Sequence, residues 1–304
     1  MKQKLHKDLN SLLTFYRQQR QSPPETFVHK PGVVHKPSFF SVKALQEHLN
    51  NPLMSHEWLN MKLQGRELDL EQASRFKPVQ GRKLQFLDKG LINQAISDGA
   101  AVVLEGIDIL DSGVSAFVGK LEEALPCSLS NCVAFFSQQN NEAYAGHLDT
   151  DDVLVVQISG RKHWRIFEPQ QRRYFDTNPL SERQMGKQIA ELTMKPGDAI
   201  YLSAGVPHIV STAADHSLHL AFDLIDRSPN IERITHEANQ LYNQACAPAY
   251  GPVSNVVDSY INLLQDEEVR AKFEETTRTV AEEAKNFREC IGRASAIRAL
   301  NKYS

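Results

Sequence analysis

Two histidines and one aspartate in this sequence have the types and the setting to hold a divalent metal from one side. His147 and Asp149 stand in Ala145-Gly146-His147-Leu148-Asp149-Thr150-Asp151-Asp152, just before the apolar run Val153-Leu154-Val155-Val156. On an extended chain, residues i and i+2 project to the same side, so an imidazole and a carboxylate can share one ion. His208 follows Lys195-Pro196-Gly197-Asp198-Ala199-Ile200-Tyr201-Leu202 through Gly205 and Pro207, and opens another strand-like run. Two imidazoles and a carboxylate make the facial triad of non-haem Fe(II) oxygenases, with three protein ligands on one side and open positions on the other. His-x-Asp alone is a weak signal. A second copy, His6-Lys7-Asp8, lies in a stretch of helical periodicity, where i and i+2 diverge, and is set aside. The plain alternative for the first copy is a core or turn histidine at 208 and a turn acid at 149.

Lys162 is the next candidate. In Arg161-Lys162-His163-Trp164-Arg165-Ile166, period-two alternation puts Arg161, His163 and Arg165 on one face and Lys162, Trp164 and Ile166 on the other. An ammonium on an apolar face is costly unless an anion meets it. The distal carboxylate of 2-oxoglutarate, whose keto-acid end chelates a metal, is a suitable partner. The competing reading is a lysine whose stem covers Trp164 while its head reaches water. On the run Ser217 to Phe222, Ser217, His219 and Ala221 alternate with Leu218, Leu220 and Phe222. The polar side is assigned to the cavity, where Ser217 and His219 hold co-substrate or water, or serve the structure alone.

The elements that must position these groups fall into three blocks. Leu5, Leu9, Leu12, Leu13 and Tyr16 recur at helical spacing before Ser22-Pro23-Pro24, and a short helix is expected over 42–49. The doubled Val-His-Lys-Pro between Val28 and Pro37 reads as a turn-rich strand pair. Residues 92–96 and 114–125 read as helices, with a strand over 99–104. From 131 to 226 short strand-like runs (133–137, 153–158, 163–167, 199–202, 208–212, 218–224) alternate with Gly, Pro, Asn and Asp turns, the texture of an antiparallel barrel or jelly roll. Beyond 226 the pattern turns helical over 231–245, 253–264 and 267–300. Val269, Phe273, Val280, Ala284, Phe287 and Ile291 form a stripe in the last of these that implies a packed or dimerising surface.

Composition removes other classes. The 304 residues carry 34 Lys and Arg against 37 Asp and Glu, a formal net charge of −3. That balance gives no general pull toward nucleic acid or an anionic membrane, and any nucleic-acid role needs a local patch. No apolar run approaches the roughly 20 residues of a membrane helix, and the first residues lack a signal-peptide core, which points to the cytoplasm. Four cysteines without a CxxC fit reduced thiols better than disulfides or a zinc knuckle.

Four segments together resemble the cupin-type JmjC oxygenases that include the ribosomal oxygenases. They are Asp98 to Ile107, the block from His147 through Gly160-Arg161-Lys162-His163-Trp164-Arg165-Ile166-Phe167-Glu168-Pro169, Pro196 to His208, and Ser217 to Leu220. The likeness spans about residues 90–226. It implies Fe(II) on His147, Asp149 and His208, and 2-oxoglutarate held through Lys162, fifteen residues after the first ligand. It further implies hydroxylation of a protein or peptide side chain, with ribosomal proteins among the substrates of that family, and a homodimer built through C-terminal helices. Two departures are notable. Where many relatives carry Asn-x-Tyr, this chain has Val133-Ala134-Phe135, and residues 227–304 are short for both dimerising helices and the winged helix of the ribosomal oxygenases.

The expectation is therefore a mainly β protein with helices. Residues 1–89 form an N-terminal helical and strand extension, 90–226 a double-stranded β-helix (jelly roll, cupin) catalytic domain, and 227–304 a helical unit. The expected activity is that of a 2-oxoglutarate-dependent dioxygenase. The alternatives are a hydroxylase of a small metabolite or natural-product peptide, a lysine demethylase, and a non-catalytic cupin-like binding module.

Overall fold

The computed structural model describes residues 2–35, 37–63, 66–123, 128–138, 146–169, 180, 182–226, 253–272, 274, 275, 279 and 282. It divides into two compact units, Met1–Ala124 with Ser130–Ile225, and Leu125–Leu129 with Asp226–Ser304.

The first unit opens with helix α1 (Lys2–Gln21), strand β1 (Phe27–Lys30) and helix α2 (Val42–Leu49). Strands β2 (Leu59–Leu63), β3 (Arg66–Glu67), β4 (Ser74–Val79) and β5 (Arg82–Leu87) follow, then helix α3 (Lys89–Ser97) and strand β6 (Ala101–Leu104). Helices α4 (Ile107–Leu110) and α5 (Ser112–Glu123) lead into the long strands β7 (Ser128–Gln138) and β8 (Asp152–Phe167). Helix α6 (Glu182–Met185) and strands β9 (Gln188–Met194), β10 (Ala199–Leu202) and β11 (His208–Asp226) complete it. In the second unit, α7 (Val253–Gln265) is the regular element described, and 267–272 is helical. The expected helix over 231–245 lies outside the described residues, as does the apolar stripe of the last helix apart from Val269.

Nine strands make one sheet in the order β1-β10-β8-β11-β7-β6-β2-β3, with β9 also on β8. The middle of this sheet is carried by β8 and β11, which pair antiparallel from Leu224↔Asp152 to His208↔Ile166. Sequence texture divides each of them into two short strands. The structure instead joins 153–158 to 163–167, and 208–212 to 218–224, through a bend where the register slips between Thr212 and Ser217. Gly160 makes the bend possible. It has φ +66°, and a Cβ there would stand 1.9 Å from the His216 carbonyl oxygen, so the dipeptide that reads as a turn is a bulge within a continuous strand. Each long strand thereby serves two neighbours: β8 pairs β10 through Val153–Val156 and β9 through Lys162–Phe167.

The expected strand pair at 28–37 does not form. Its first half is β1, which pairs with β10, while Gly32 turns at φ +62° and Val34 is buried with its amide donating to the Gly197 carbonyl at 2.9 Å. Two prolines without amide donors and a left-handed glycine leave the second half nothing to ladder with.

The core lies inside the bent sheet. Val153, Val155, Trp164, Ile166, Met194, Ile200, Leu202, Val206 and Ala221 cluster there, with Phe27, Phe135 and Leu192 against them. Along β8, Lys162, Trp164 and Ile166 are buried, whereas Arg161, His163 and Arg165 are not, as alternation requires. Outside the sheet, α5 buries Val114, Phe117, Val118 and Leu121 at helical spacing, and Phe117 meets Phe222 of β11 edge-on at 5.1 Å. Helix α1 packs against α5 and β10 through Leu9, Leu12, Leu13, Phe15 and Tyr16. Its Arg20 reaches Asp152 at 3.0 Å, and Asp152 also accepts from the Tyr201 hydroxyl at 2.6 Å and the Ala204 amide at 2.8 Å. The helix is thereby tied to the loop that precedes His208. Among the described residues no helix is long and apolar enough to cross a membrane.

Candidate metal centre

His147, Asp149 and His208 offer one ligand atom each, and the three atoms lie within 4.8 Å of one another. His147 Nε2 faces Asp149 Oδ1 at 3.9 Å, and His208 Nε2 faces Asp149 Oδ2 at 3.7 Å. The His-x-Asp segment is not yet strand, since β8 begins at Asp152. What holds it extended is an isolated bridge: the His208 amide donates to the His147 carbonyl at 2.8 Å, and the His147 amide donates back at 3.1 Å. One residue pair further, the Gly205 amide donates to the Asp149 carbonyl at 2.8 Å. The backbones that carry the three side chains are thus bonded to each other.

The electrostatics suit a cation. His208 is buried, and burial together with the neighbouring His147 pushes its imidazole down to about 3, so it is neutral, the form that binds metal. Its Nδ1 lies 3.1 Å from the Val206 carbonyl, a bond that fixes Nδ1 as the donor and leaves the Nε2 lone pair turned to Asp149. Burial raises the Asp149 carboxyl above its ordinary range, and His147 opposes the rise. A divalent ion among these groups would keep that carboxylate ionised. The donor set, two imidazoles and a carboxylate on one side of a semi-buried point, fits iron and leaves room for other ligands.

Deeper along the same face lie the other expected residues. The indole of Trp164 stacks on His208, with ring centroids 5.4 Å apart, and meets His219 at 6.4 Å. His219 also stacks on Phe135 at 4.9 Å. Its Nδ1 is buried with no hydrogen-bond partner among the described residues, and burial, with Lys162 nearby, holds its imidazole well below the usual range. Lys162 is only 2% exposed, which rules out a lysine head in water. It donates to Ser137 Oγ at 2.8 Å and contacts Thr212 Oγ1 at 3.4 Å, while those two hydroxyls are 2.7 Å apart. Ser217 sits differently. Its hydroxyl accepts from Gln157 Nε2 at 2.9 Å and is fully buried beside the bulge at Gly160, within the wall between β8 and β11.

Ser137 and Thr212 are missing from the sequence reading. Each ends a strand-like run, and only the bend that brings β7 and β11 to Lys162 gives them a role. A second group is also new: Asp223 on β11 and Glu105 after β6 both bond Asn131 of β7. Burial, followed by the field of Asp149, pushes Asp223 up to about 7.

Comparison with known proteins places these features. Residues 116–233 match the JmjC domain family. The bifunctional lysine-specific demethylase and histidyl-hydroxylase NO66 of Aedes aegypti is 29% identical over 122 residues, covering 38% of this chain and 19% of that protein. Its counterpart in Dictyostelium discoideum is 21% identical over 240 residues, covering 76% of this chain and 45% of that protein. The chain therefore spans less than half the length of these curated relatives. The structure of ycfD of E. coli superposes with a TM-score of 0.54 at 14% identity, covering 85% of this chain and 67% of that one. A second structure of that protein, described as a ribosomal oxygenase in complex with cobalt and succinic acid, superposes at 0.50, with 14% identity and coverage of 85% and 66%. The fold is accordingly the jelly-roll core with helices expected from the sequence.

Proposed function

We propose that this chain, whose residues 116–233 match the JmjC domain family, is an Fe(II)- and 2-oxoglutarate-dependent oxygenase that hydroxylates a side chain of a protein or peptide. The observation that carries the proposal is the meeting of His147, Asp149 and His208 at one point, with a buried Lys162 on the same interior face. In this reading the three residues hold ferrous iron. The iron supplies the activation of dioxygen that is coupled to oxidative decarboxylation of 2-oxoglutarate to succinate.

The chain's own residues do the positioning. Lys162 takes the distal carboxylate of 2-oxoglutarate, and the Ser137 and Thr212 hydroxyls beside its ammonium add neutral donors to the same cup. A carboxylate arriving beside this buried ammonium would gain a charge-assisted bond in a site shielded from water. His219, neutral and with an Nδ1 that has no hydrogen-bond partner among the described residues, offers a further polar contact near Lys162. Ser217 has a supporting part, bracing Gln157 behind the cavity. Trp164, Phe135 and Val206 belong to the apolar cluster beside His208 and would help keep bulk water from a metal held there.

For substrate we favour a ribosomal protein. The support is that a protein with this fold is described as a ribosomal oxygenase and that relatives in sequence are named histidyl-hydroxylases. Residues 90–226 are taken as the catalytic domain and 1–89 as its extension. Residues 227–304 are taken as a helical unit that joins two copies in the cytoplasm, a reading supported by exposed Val257 and Ile261 one turn apart on α7. The test is incubation with ferrous iron, 2-oxoglutarate and ribosomal proteins, scoring succinate and a mass gain of one oxygen atom on a peptide. Wild-type protein should yield both. A His147→Ala variant that still makes succinate removes the metal centre from the account.

A further inference from the structure

The chain as a whole is slightly acidic, yet residues 74–87 hold Arg75, Lys77, Arg82 and Lys83 and no Asp or Glu. These residues form β4 and β5, a two-stranded ribbon with no ladder to the nine-stranded sheet. Gln80 and Gly81, at φ +48° and +78°, reverse the chain between the paired residues Val79 and Arg82, the tight turn that suits strand twist. Two strands alone are marginally stable, so the foot of the ribbon matters. There Gln85 Nε2 lies 2.8 Å from both Ser74 Oγ and His56 Nδ1, the Asp88 amide donates to Ala73 at 2.7 Å, and Arg75 pairs with Asp88 at 3.1 Å. Arg75 is used at the foot. Lys77, Arg82 and Lys83 form no ion pair among the described residues.

The register sorts the exposed side chains. Phe76, opposite Gln85, shares a face with Lys83, opposite Pro78, while Lys77 and Arg82 share the other face with Leu84 and Val79. Phe76 is 60% exposed, Leu84 45% and Val79 36%. Three cations with no ion pair among the described residues favour an anionic partner and oppose a cationic one, and the open aromatic ring favours a partner with flat faces. Single-stranded nucleic acid has both, phosphates for the cations and unpaired bases for the ring. A duplex hides its base faces, and an acidic peptide has none to offer. Unpaired bases splayed for stacking belong above all to RNA loops and ends. We propose that the β4–β5 hairpin is a docking surface for single-stranded RNA, with Phe76 stacking on a base and Lys77, Arg82 and Lys83 contacting phosphates.

The proposal stands apart from the metal centre, since none of these residues belongs to the sheet that holds it. It is tested on the full chain by fluorescence anisotropy with a labelled oligouridylate over a series of salt concentrations. Binding should weaken with salt at a log–log slope near −2, as about 0.7 per phosphate contact gives for three cations. The K77E/R82E/K83E variant should lose binding about 100-fold or more. Phe76→Ala should weaken it roughly tenfold with the salt slope unchanged, since stacking and counterion release are separate contributions. Retained cobalt binding at the triad certifies that both variants are folded. The proposal is overturned by absence of wild-type binding at low salt, by equal binding of the charge-reversed variant, or by equal competition from duplex DNA or polyglutamate.

Discussion

Trp164 lies nearly flat against His208, their ring planes 24° from parallel and their centroids 5.4 Å apart. The imidazole is thereby held on one side by an indole and at Nδ1 by the Val206 carbonyl, so its Nε2 has one direction in which to point. Trp164→Leu keeps the site apolar but frees the ring. We expect cobalt affinity to fall about 10- to 100-fold, the usual cost of losing a group that orients a metal ligand. Titration followed by the cobalt absorption bands measures it, and unchanged affinity would assign the orientation to Val206 alone.

Lys162→Ala should raise KM for 2-oxoglutarate about 10- to 100-fold, since a charge-assisted hydrogen bond contributes about 1.5 to 3 kcal/mol. Ser137→Ala, which removes a neutral partner of the same ammonium, should cost less, about tenfold or below. Cobalt affinity should be unchanged in both. Parallel metal and co-substrate titrations separate this outcome from general unfolding.

Asp223 makes the apo chain sensitive to pH. Its carboxyl is pushed up to about 7, first by burial and then by Asp149, so between the ordinary carboxylate range and about pH 7 the native state keeps a proton that the unfolded chain has lost. The stability this group contributes is therefore full in acid and is lost as pH rises through about 7, an effect of a few kcal/mol. Asp223→Asn should flatten that part of the profile. A divalent ion on Asp149 should flatten it as well, by cancelling the negative field. Urea midpoints from pH 4 to 8, with and without cobalt, test both statements.

Gly160→Ala should destabilise the protein by about 3 kcal/mol or more, because the added methyl meets the His216 carbonyl and the left-handed backbone disfavours any L side chain. Gly119→Ala, on α5 with open space at its Cβ, should instead be neutral or mildly stabilising. Thermal melts of the pair distinguish close packing at the bulge from a general intolerance of glycine replacement.

What could be read from the residues was what depends on short range. Period-two alternation told Lys162, Trp164 and Ile166 apart from Arg161, His163 and Arg165, because a strand's two faces differ in solvent contact whatever lies beyond them. His147, Asp149 and His208 could be singled out because their donor types are uncommon together and flank apolar runs. Ser137 and Thr212 could not, since a hydroxyl at a strand end is ordinary until a neighbouring strand delivers an ammonium to it. The doubled Val-His-Lys-Pro misled for a similar reason: local repetition says nothing of partners, and β1 found its partner in β10, about 170 residues away. The charges of residues 74–87 carry no local signal of their own, because they come together only once a tight turn pairs β4 with β5.

The reciprocal amide bonds between His147 and His208 close the clasp by main chain alone, with no side chain needed to bring its two halves together. The stretch between β8 and β9 can therefore vary while the stitch holds, provided the Leu180 amide keeps its bond to Gly146 and Met185 its place against Ile209. A lineage reshaping that stretch could trade one target for another and never have to reinvent its chemistry.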